Sequence, residues 1–589
     1  MTIEATPVDF IDRGQLIFRR FEWVSLAIAV VTAALVFALS GSGYDLTDEG
    51  YYLSSIANYA EFSVSSTQFG FVYHPLYRLA GGDIALLRAS SLALTVFLGV
   101  WLTHMALSCR LPIAIAVGVT SITVINGWLI SPSYNSLVVQ AALLGAIGLA
   151  ISFRDRGSNW GPVLIGLAGW LAFMAKPPSA AALAILTLMC LALGSGHRLR
   201  PLVIAVSVAS LALLASATII DGSPFAFIVR LTAAVEDARI LQGMGPADGI
   251  LRIDTWPLQW KDKALLLAVS ALLAGAPALT GSGQWQKQKS TLLMIVGGII
   301  LAAIAMIIFG SQLWSQVADR QAVWRILPFA AAVGGIVGAI FVKWGTIGKT
   351  MCREDWAMMA FLGSLPFVTA FGSNVNYWIL GGCASIFWTL AGLRFIVVTS
   401  DRVVLMPAIL AAQASCLLLI IVWVAQPYRQ SEPLFEQQSL VSIGSTTLRI
   451  SKDAAKYLDT IRSAARREGF RPGDPLLDLT GHAPGVAFAL GALPVADPWI
   501  LGGYVGSQSF ARRVVARTPC AIIGRAWLLV EPGGPRAIEP ATLGISPSGF
   551  RVAARLTGPA TDYPAGGAQF LMRPEGKVVD RVAACQRSR

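Results

Sequence analysis

The sequence predicts an α-helical polytopic membrane protein with a small C-terminal α/β domain. Of its 589 residues, 55% are hydrophobic and only 13% are charged, and the mean hydropathy is +0.64. Apolar runs of about 20 residues, the length that crosses a bilayer as a helix, recur throughout residues 1–426. Charged residues become frequent only after Pro427. These observations exclude a single soluble core and divide the chain into a membrane domain, 1–426, and a second domain, 427–589.

About thirteen membrane spans are predicted from the apolar runs. They are placed at residues 23–40, 84–107, 112–130, 134–153, 161–175, 179–193, 201–220, 264–280, 291–310, 324–342, 356–372, 377–397 and 403–424.

The charges of the connections orient these spans. Short loops that stay in the cytoplasm retain Lys and Arg, and basic residues occur in every second connection, beginning before the first span. They are Arg13, Arg19, Arg20, Arg110, Arg154, Arg156, Arg198, Arg200, Lys287, Lys289, Lys343, Lys349, Arg353 and Arg402. An odd number of spans then places the N-terminus in the cytoplasm and residues 427–589 outside it. We expect a multi-pass protein of the bacterial inner membrane, whose first span is a retained anchor. The net charge of +12 then requires no nucleic acid, because topology and contact with anionic membrane lipid account for it.

Two of the predicted outer connections are long, and long loops are often functional. The first, residues 41–83, contains a helical pattern at 51–62 that puts Tyr52, Ile56 and Tyr59 on one face. This pattern predicts a helix lying on the membrane. The second, residues 221–263, is predicted to be a loop that can move. Its turn-forming residues are Gly243, Gly245, Pro246 and Gly249.

Residues 427–589 alternate between helical and strand patterns in short units, which is typical of a small α/β domain. Helices are predicted at 453–468 and 486–490, strands at 475–479, 527–531, 550–556 and 568–573, and a turn at 481–485. Cys520 and Cys585 both fall in this domain, where an oxidising compartment permits a disulfide. Two buried free thiols are the alternative.

The acidic pair Asp48 and Glu49 is the first candidate for catalysis. A carboxylate held at the membrane face can accept a proton from a sugar or lipid hydroxyl. Adjacent carboxylates also perturb each other's ionisation, which can hold one near the working pH. The alternatives are a solvated acid pair or a cap for the helix that begins near Tyr51.

The residues that follow the pair carry a family resemblance. Tyr51 and Tyr52 are followed by Tyr73-His74-Pro75-Leu76-Tyr77, then Gly81-Gly82-Asp83, then Arg88 at the head of the second span. Together with the thirteen spans and the outer domain, this order resembles the GT-C superfamily of membrane glycosyltransferases over about three quarters of the chain. The most similar branch includes protein O-mannosyltransferases, the aminoarabinose transferase of lipid A, and bacterial galacturonosyl and arabinofuranosyl transferases.

The resemblance implies a reaction and its partners. A sugar would pass with inversion from a polyprenyl-phosphate donor to a cell-envelope acceptor, with Asp48 as general base and Glu49 beside it. The donor phosphate would be bound by His74, Lys176, Arg320 and Arg325. The sugar or the acceptor would contact Tyr51, Tyr52, Asn135, Asn374 and Asn376.

Structural roles remain open for several of these residues. Lys176, before Pro177 and Pro178, can be a snorkelling lysine. Arg320 and Arg325 can be salt-bridged or interfacial anchors, and the two asparagines near residue 375 can be helix caps. Metal-dependent relatives carry a second acid in the next outer loop, where this chain has Ser131-Pro132-Ser133-Tyr134-Asn135. A tightly held divalent ion is therefore doubtful, and we assign no metal ligand and no cofactor.

Two other functions also remain open. A lipid-linked sugar transporter or flippase would carry ionisable residues within its spans, whereas the predicted spans are almost free of charge. A non-catalytic assembly subunit that keeps the same fold would differ from the enzyme only in activity.

Overall fold

The computed structural model describes residues 7–62, 67–195, 199–243, 253–281, 320–345, 347–400, 404–559 and 567–587. Within the described part of residues 7–425, the named secondary-structure elements are all helices. The helices are α1 Pro7–Ala38, α2 Asp48–Ala57, α3 Phe69–Leu79, α4 Ile84–Leu107, α5 Leu111–Gly118 followed by a 3-10 turn Val119–Ile125, α6 Tyr134–Arg154, α7 Trp160–Ala175, α8 Pro177–Ser195, α9 Leu199–Asp221, α10 Pro224–Gln242, α11 Trp260–Gly281, α12 Gln321–Lys343, α13 Ile347–Thr350, α14 Arg353–Ala370, α15 Tyr377–Gly382, α16 Ile386–Thr399 and α17 Leu405–Ala425.

The protein is a multi-pass membrane protein. Among the described residues, seven helices are long and apolar enough to cross a bilayer, and they coincide with seven predicted spans. Three shorter apolar segments, Leu111–Ile125, Trp160–Ala175 and Ile386–Thr399, match three more. Helices α11 and α14 occupy two others, and the span predicted at 291–310 lies outside the described residues. The span predicted at 377–397 is broken into α15 and α16.

One prediction for the two long connections is wrong, and the other is tested only in part. The first half of residues 221–263 is the helix α10, which begins with the side chain of Ser223 accepting a hydrogen bond from the Ala226 amide and has Gly243 as its C-terminal cap; the other predicted turn residues, Gly245, Pro246 and Gly249, lie outside the described residues. The error concerns the helix predicted to lie on the membrane, which is α2. Its residues Tyr52, Leu53 and Ile56 are almost fully buried in protein, so the apolar face that suggested a membrane contact packs in the core instead.

The C-terminal domain is α/β, as predicted. Its elements are β1 Ser439–Ile443, β2 Thr446–Ile450, α18 Lys452–Arg467, β3 Pro475–Asp478, α19 Pro484–Leu490, β4 Leu493–Pro494, α20 Ser507–Arg517, α21 Cys520–Ile523, β5 Trp527–Val530, β6 Phe550–Thr557, β7 Ala568–Pro574 and α22 Val578–Arg587. The predicted strands and helices are all present, while the hairpin β1–β2, the strand β4 and the helices α20 to α22 were not predicted. The disulfide between Cys520 and Cys585 is formed and joins α21 to α22.

The main sheet of this domain has the strand order β4-β3-β5-β7-β6. Strands β4, β3 and β5 are parallel, and β7 and β6 continue the sheet antiparallel. The hairpin β1–β2 forms a separate sheet that pairs with the start of the 41–83 connection. There the Gly43 amide donates to the Arg449 carbonyl at 2.8 Å, and the Arg449 amide donates to Gly41 at 3.0 Å.

One hydrophobic core joins the membrane helices to the C-terminal domain. Tyr44, Leu46 and Tyr52 of the first long connection share it with Leu448 and Val486 of the domain. Helices α2 and α19 approach closely because each has a glycine at the contact. A Cβ atom added to Gly50 would lie 2.2 Å from the Gly485 Cα. No side chain therefore fits at this position. The domain therefore fixes α2, and with it Asp48, against the end of the helical bundle.

The described structure gives a test of the predicted orientation. We expect cysteines introduced at Glu61 and Ser548, both exposed, to react with a membrane-impermeant maleimide in intact cells. A cysteine at Gly157, exposed at the end of the bundle with the basic connections, should react only after permeabilisation. The background should carry Cys352→Ser, because Cys352 is an exposed free thiol. Unequal labelling of the first two positions would contradict the predicted topology.

Candidate active site

Asp48 is the first residue of α2 and is half-buried, with 21% of its side chain exposed. Its Oδ2 accepts a hydrogen bond from Arg429 Nη1 at 2.9 Å. The same Nη1 donates to Thr47 Oγ1 at 2.7 Å. Burial raises the pKa of Asp48, while Arg429 and hydrogen bonds from Tyr428 and Thr47 act in the opposite direction. A carboxylate with a raised pKa is a stronger base than an exposed aspartate.

Glu49 has different surroundings, although it is the next residue. Its Oε1 accepts hydrogen bonds from Arg88 Nη2 at 2.7 Å, Arg88 Nε at 3.0 Å and Ser131 Oγ at 2.5 Å. Its Oε2 accepts from the Asp45 amide at 3.1 Å. The Glu49 and Arg88 side chains are 2% and 0% exposed. The interpretation of a solvated acid pair is therefore wrong for Glu49, whose carboxylate ties α2 to α4.

The connection at residues 126–133, between the 3-10 turn and α6, touches most parts of the site. Asn126 Oδ1 accepts from Arg325 Nη2 at 2.6 Å, and the Gly127 carbonyl accepts from the Tyr428 amide at 2.8 Å. Trp128 Nε1 donates to the Ser42 carbonyl at 3.1 Å, and Ser131 binds Glu49. Gly127 and Trp128 have positive φ angles of 69° and 71°, an uncommon conformation for tryptophan. This tight turn brings α12, α17 and the first long connection to one place.

Lys176 lies at the hinge between α7 and α8 and is buried, with 7% exposed. Its Nζ donates to the Thr369 carbonyl at 3.2 Å and lies 5.3 Å from the centre of the Tyr134 ring. Burial lowers the pKa of Lys176 to about 7. A snorkelling lysine would extend its ammonium toward water, whereas this one is enclosed by protein. An anion bound beside Nζ would favour the charged form again.

Arg325, on α12, is also buried at 6% exposure. Besides Asn126, its Nη1 contacts Cys383 Sγ at 3.6 Å, and its guanidinium lies 5.8 Å from the Trp423 ring centre. Within the described part of the chain, Arg325 Nε and Asn135 Oδ1 are buried without a hydrogen-bond partner. Buried polar atoms are normally paired, so these two atoms suit contacts to a bound molecule.

Two predicted phosphate ligands have other contacts. His74 Nδ1 lies 2.8 Å from the Ile56 carbonyl, and its ring packs against Tyr59 and Tyr77. Arg320 Nε lies 3.6 Å from Asp262 Oδ1. None of these contacts joins His74 or Arg320 to Asp48, Lys176 or Arg325. Asp48 and Lys176 are instead linked through Tyr134, and Lys176 and Arg325 through Cys383.

The predicted sugar-binding residues separate into two groups. Tyr51 and Tyr52 belong to an aromatic cluster with Phe69, Tyr134 and Trp499, and a hydrogen bond joins Tyr52 to Tyr134. Asn374 Nδ2 lies 3.4 Å from the Tyr504 hydroxyl of the C-terminal domain. Asn376 caps α15, its Oδ1 accepting from the Trp378 and Ile379 amides, as the capping alternative states.

Sequence reasoning missed three members of the site. Arg429 binds Asp48 from a distance of 381 residues along the chain. Its position just after the last apolar run, in Gln426-Pro427-Tyr428-Arg429, is the only signal in the sequence. Asp45 is 2% exposed; it lies three positions before Asp48, and no role was predicted for it from the sequence. Tyr134 was noted only as part of a loop that has no acid.

The described residues contain no group of three or more His, Cys, Asp and Glu side chains placed to hold a metal ion. Asn135, in the stretch that lacks an acid, keeps its Oδ1 buried.

Solved structures similar to this chain include three crystal structures of membrane-protein or transferase chains. The oligosaccharyltransferase of Archaeoglobus fulgidus, solved with zinc and sulfate, is 12% identical with a TM-score of 0.42, over 94% of this chain and 75% of that one. ArnT from Cupriavidus metallidurans in the apo state is 13% identical with a TM-score of 0.40, and the match covers 93% of this chain and 97% of ArnT. The structure of ArnT bound to undecaprenyl phosphate is 12% identical with a TM-score of 0.39, and the match covers 94% of this chain and 98% of ArnT. No protein-family model matches the chain, and no curated protein matches it.

Proposed function

We propose that the protein is an integral membrane glycosyltransferase of the GT-C type, acting at the outer face of the bacterial inner membrane. It transfers a sugar from a polyprenyl-phosphate donor to a cell-envelope acceptor, which can be a lipid, a glycan or a protein. The observation that carries this proposal is a connected set of one base and two buried cations from distant parts of the chain. Lys176 lies over the Tyr134 ring, on which the charge of Asp48 also acts, and the charges of Lys176 and Arg325 both act on Cys383.

The proposed reaction is a single displacement. The acceptor oxygen forms a bond to the anomeric carbon of the sugar while the bond from that carbon to the phosphate oxygen breaks, which inverts the configuration. Asp48 takes the proton of the acceptor hydroxyl. The electron pair of the broken bond leaves with the lipid phosphate. Positioned bases of this kind contribute roughly 100- to 10,000-fold to the rate.

Lys176 and Arg325 are proposed to stabilise the departing phosphate. Both are cations held in a low-dielectric environment, where their interaction with developing negative charge is strong. The unpaired Arg325 Nε and the planar shape of its guanidinium suit a phosphate oxygen. Asn135, with its buried Oδ1 lacking a partner, is proposed to contact a sugar hydroxyl, and Tyr51 and Tyr52 to form an aromatic wall beside it.

Transfer itself is the test of this function. Purified protein in lipid bilayers should move radiolabelled sugar from undecaprenyl-phosphate donors to an extract of envelope lipids and glycans. We expect Lys176→Ala to lower turnover by about 10- to 100-fold and to weaken donor binding, with Lys176→Arg retaining part of both because the charge survives. Lys349→Ala, at an exposed lysine of α13, is the matched control and should behave as wild type.

The result also separates the alternatives. Donor movement between leaflets without transfer would favour a flippase, and inactive protein that still binds the donor would favour an assembly subunit. Unchanged donor affinity and turnover in folded Lys176→Ala would exclude contact between Lys176 and the phosphate.

A further inference from the structure

Asp45 is a buried carboxylate that the proposed reaction does not yet use. Its Oδ1 and Oδ2 both lie 2.8 Å from Thr47 Oγ1. Oδ1 also accepts from the Thr47 amide at 3.2 Å, and Oδ2 accepts from the Glu49 amide at 3.1 Å. These amide contacts hold the first turn of α2. The hydroxyl contact is a different feature, because it leads toward Asp48.

The Thr47 hydroxyl joins the two aspartates. Its oxygen lies 3.4 Å from Asp48 Oδ2 and accepts a hydrogen bond from Arg429 Nη1. A hydroxyl has one hydrogen and two lone pairs. If the hydroxyl hydrogen points to Asp45, one lone pair accepts the hydrogen bond from Arg429 and the second lone pair faces Asp48. A protonated Asp48 can therefore donate to Thr47 while Thr47 donates to Asp45.

We propose that Asp45 is the final proton acceptor of this site, and that the Thr47 hydroxyl relays to it the proton that Asp48 takes from the acceptor substrate. This inference rests on the proposed function. In the relay, the O–H bond of protonated Asp48 breaks as a new O–H bond forms on Thr47. The original Thr47 hydrogen moves to Asp45, so Asp48 is again a carboxylate, Thr47 again a hydroxyl, and Asp45 a carboxylic acid.

Several charged groups surround Asp45. Asp48 lies on its own connection, and Arg429 faces it from the segment after α17. The neighbouring Tyr44 is in turn influenced by Glu49, by Arg88 of α4 and by Arg462 of α18. Burial, followed by the charge of Asp48, raises the pKa of Asp45 to about 7. Asp45 can therefore receive a proton near neutral pH. Below its pKa it is already protonated, so the relay is blocked as the pH falls through about 7.

Substitutions at Thr47 separate the relay from the helix-capping role of Asp45. Thr47→Val removes the hydroxyl but keeps the shape of the side chain and both amide contacts of Asp45. We expect it to lower turnover by about 10-fold, while Thr47→Ser keeps more than half of the wild-type value. Asp45→Asn should lower turnover to a similar extent, and the double variant Asp45→Asn/Thr47→Val should be no slower than either single variant. Wild-type turnover in Thr47→Val, or losses that multiply in the double variant, would overturn the relay.

Infrared spectroscopy detects the protonation of the Asp45 carboxyl group and does not require turnover. Burial also raises the pKa of Asp497 to about 7, so the spectra should be recorded in an Asp497→Asn background. There we expect the carbonyl band of a protonated carboxylic acid to disappear as the pH rises through about 7, and to be weakened by Asp45→Asn. Thr47→Val should keep the band but shift it, because its hydrogen-bond partner is lost. A wild-type protein without sugar transfer would contradict the proposed function, whereas a spectrum unchanged by Asp45→Asn would overturn the inference about Asp45.

Discussion

Asp48→Asn is expected to lower turnover by about 100-fold or more. The amide keeps the size of the side chain and can still accept a hydrogen bond from Arg429, but it cannot take a proton. Donor affinity should change by less than about 3-fold, because the lipid phosphate is assigned to Lys176 and Arg325. Turnover and donor affinity should be measured on the same purified sample, since a loss confined to turnover identifies a group that acts in the transition state.

The control for this variant is Glu61→Gln, which neutralises an exposed acid of the same connection and should leave both quantities unchanged. Transfer by Asp48→Asn at close to the wild-type rate would remove Asp48 from the mechanism. A loss of donor binding that equals the loss of turnover would instead assign Asp48 to donor recognition.

The largest effect on folding is expected from Arg88→Met. The substitution leaves the Glu49 carboxylate buried without its cation, and breaking one side of a buried ion pair typically costs about 3–5 kcal/mol. We expect little folded protein and a strongly lowered unfolding temperature in detergent. Glu49→Gln/Arg88→Met removes both charges and should recover much of the stability, because no uncompensated charge remains.

Arg78→Met serves as the matched control, since Arg78 is an exposed arginine of α3 and its removal should leave the unfolding temperature near that of wild type. Equal stability of Arg88→Met and Arg78→Met would show that the Glu49–Arg88 pair does not anchor α2. If the double variant is stable and still transfers sugar, Glu49 positions the site and takes no part in the chemistry.

Most of the predicted spans and the predicted strands of the C-terminal domain agree with the structure for a common physical reason. Both depend on local patterns: a bilayer demands about 20 apolar residues, and a strand buried on one face alternates. The helix α4, Ile84–Leu107, begins and ends where the apolar run does. The surroundings of α2 could not be predicted in this way. Its apolar face fits a membrane surface or a protein core equally well, and only the contact with α19 decides between them.

The candidate site likewise has a part that the sequence predicts and a part that depends on tertiary contacts. The sequence by itself singled out Asp48, Glu49, Lys176 and Arg325 as candidates, because an acidic pair and a lysine or arginine in apolar surroundings are costly and stand out. Only the tertiary structure decided which groups each of them contacts, and it added Asp45 and Arg429. It pairs Glu49 with Arg88 and Asp48 with Arg429, and it leaves His74 and Arg320 in other surroundings. Electrostatic and hydrogen-bond energies depend on separations of a few ångströms, and residues hundreds of positions apart acquire such separations only when the chain folds.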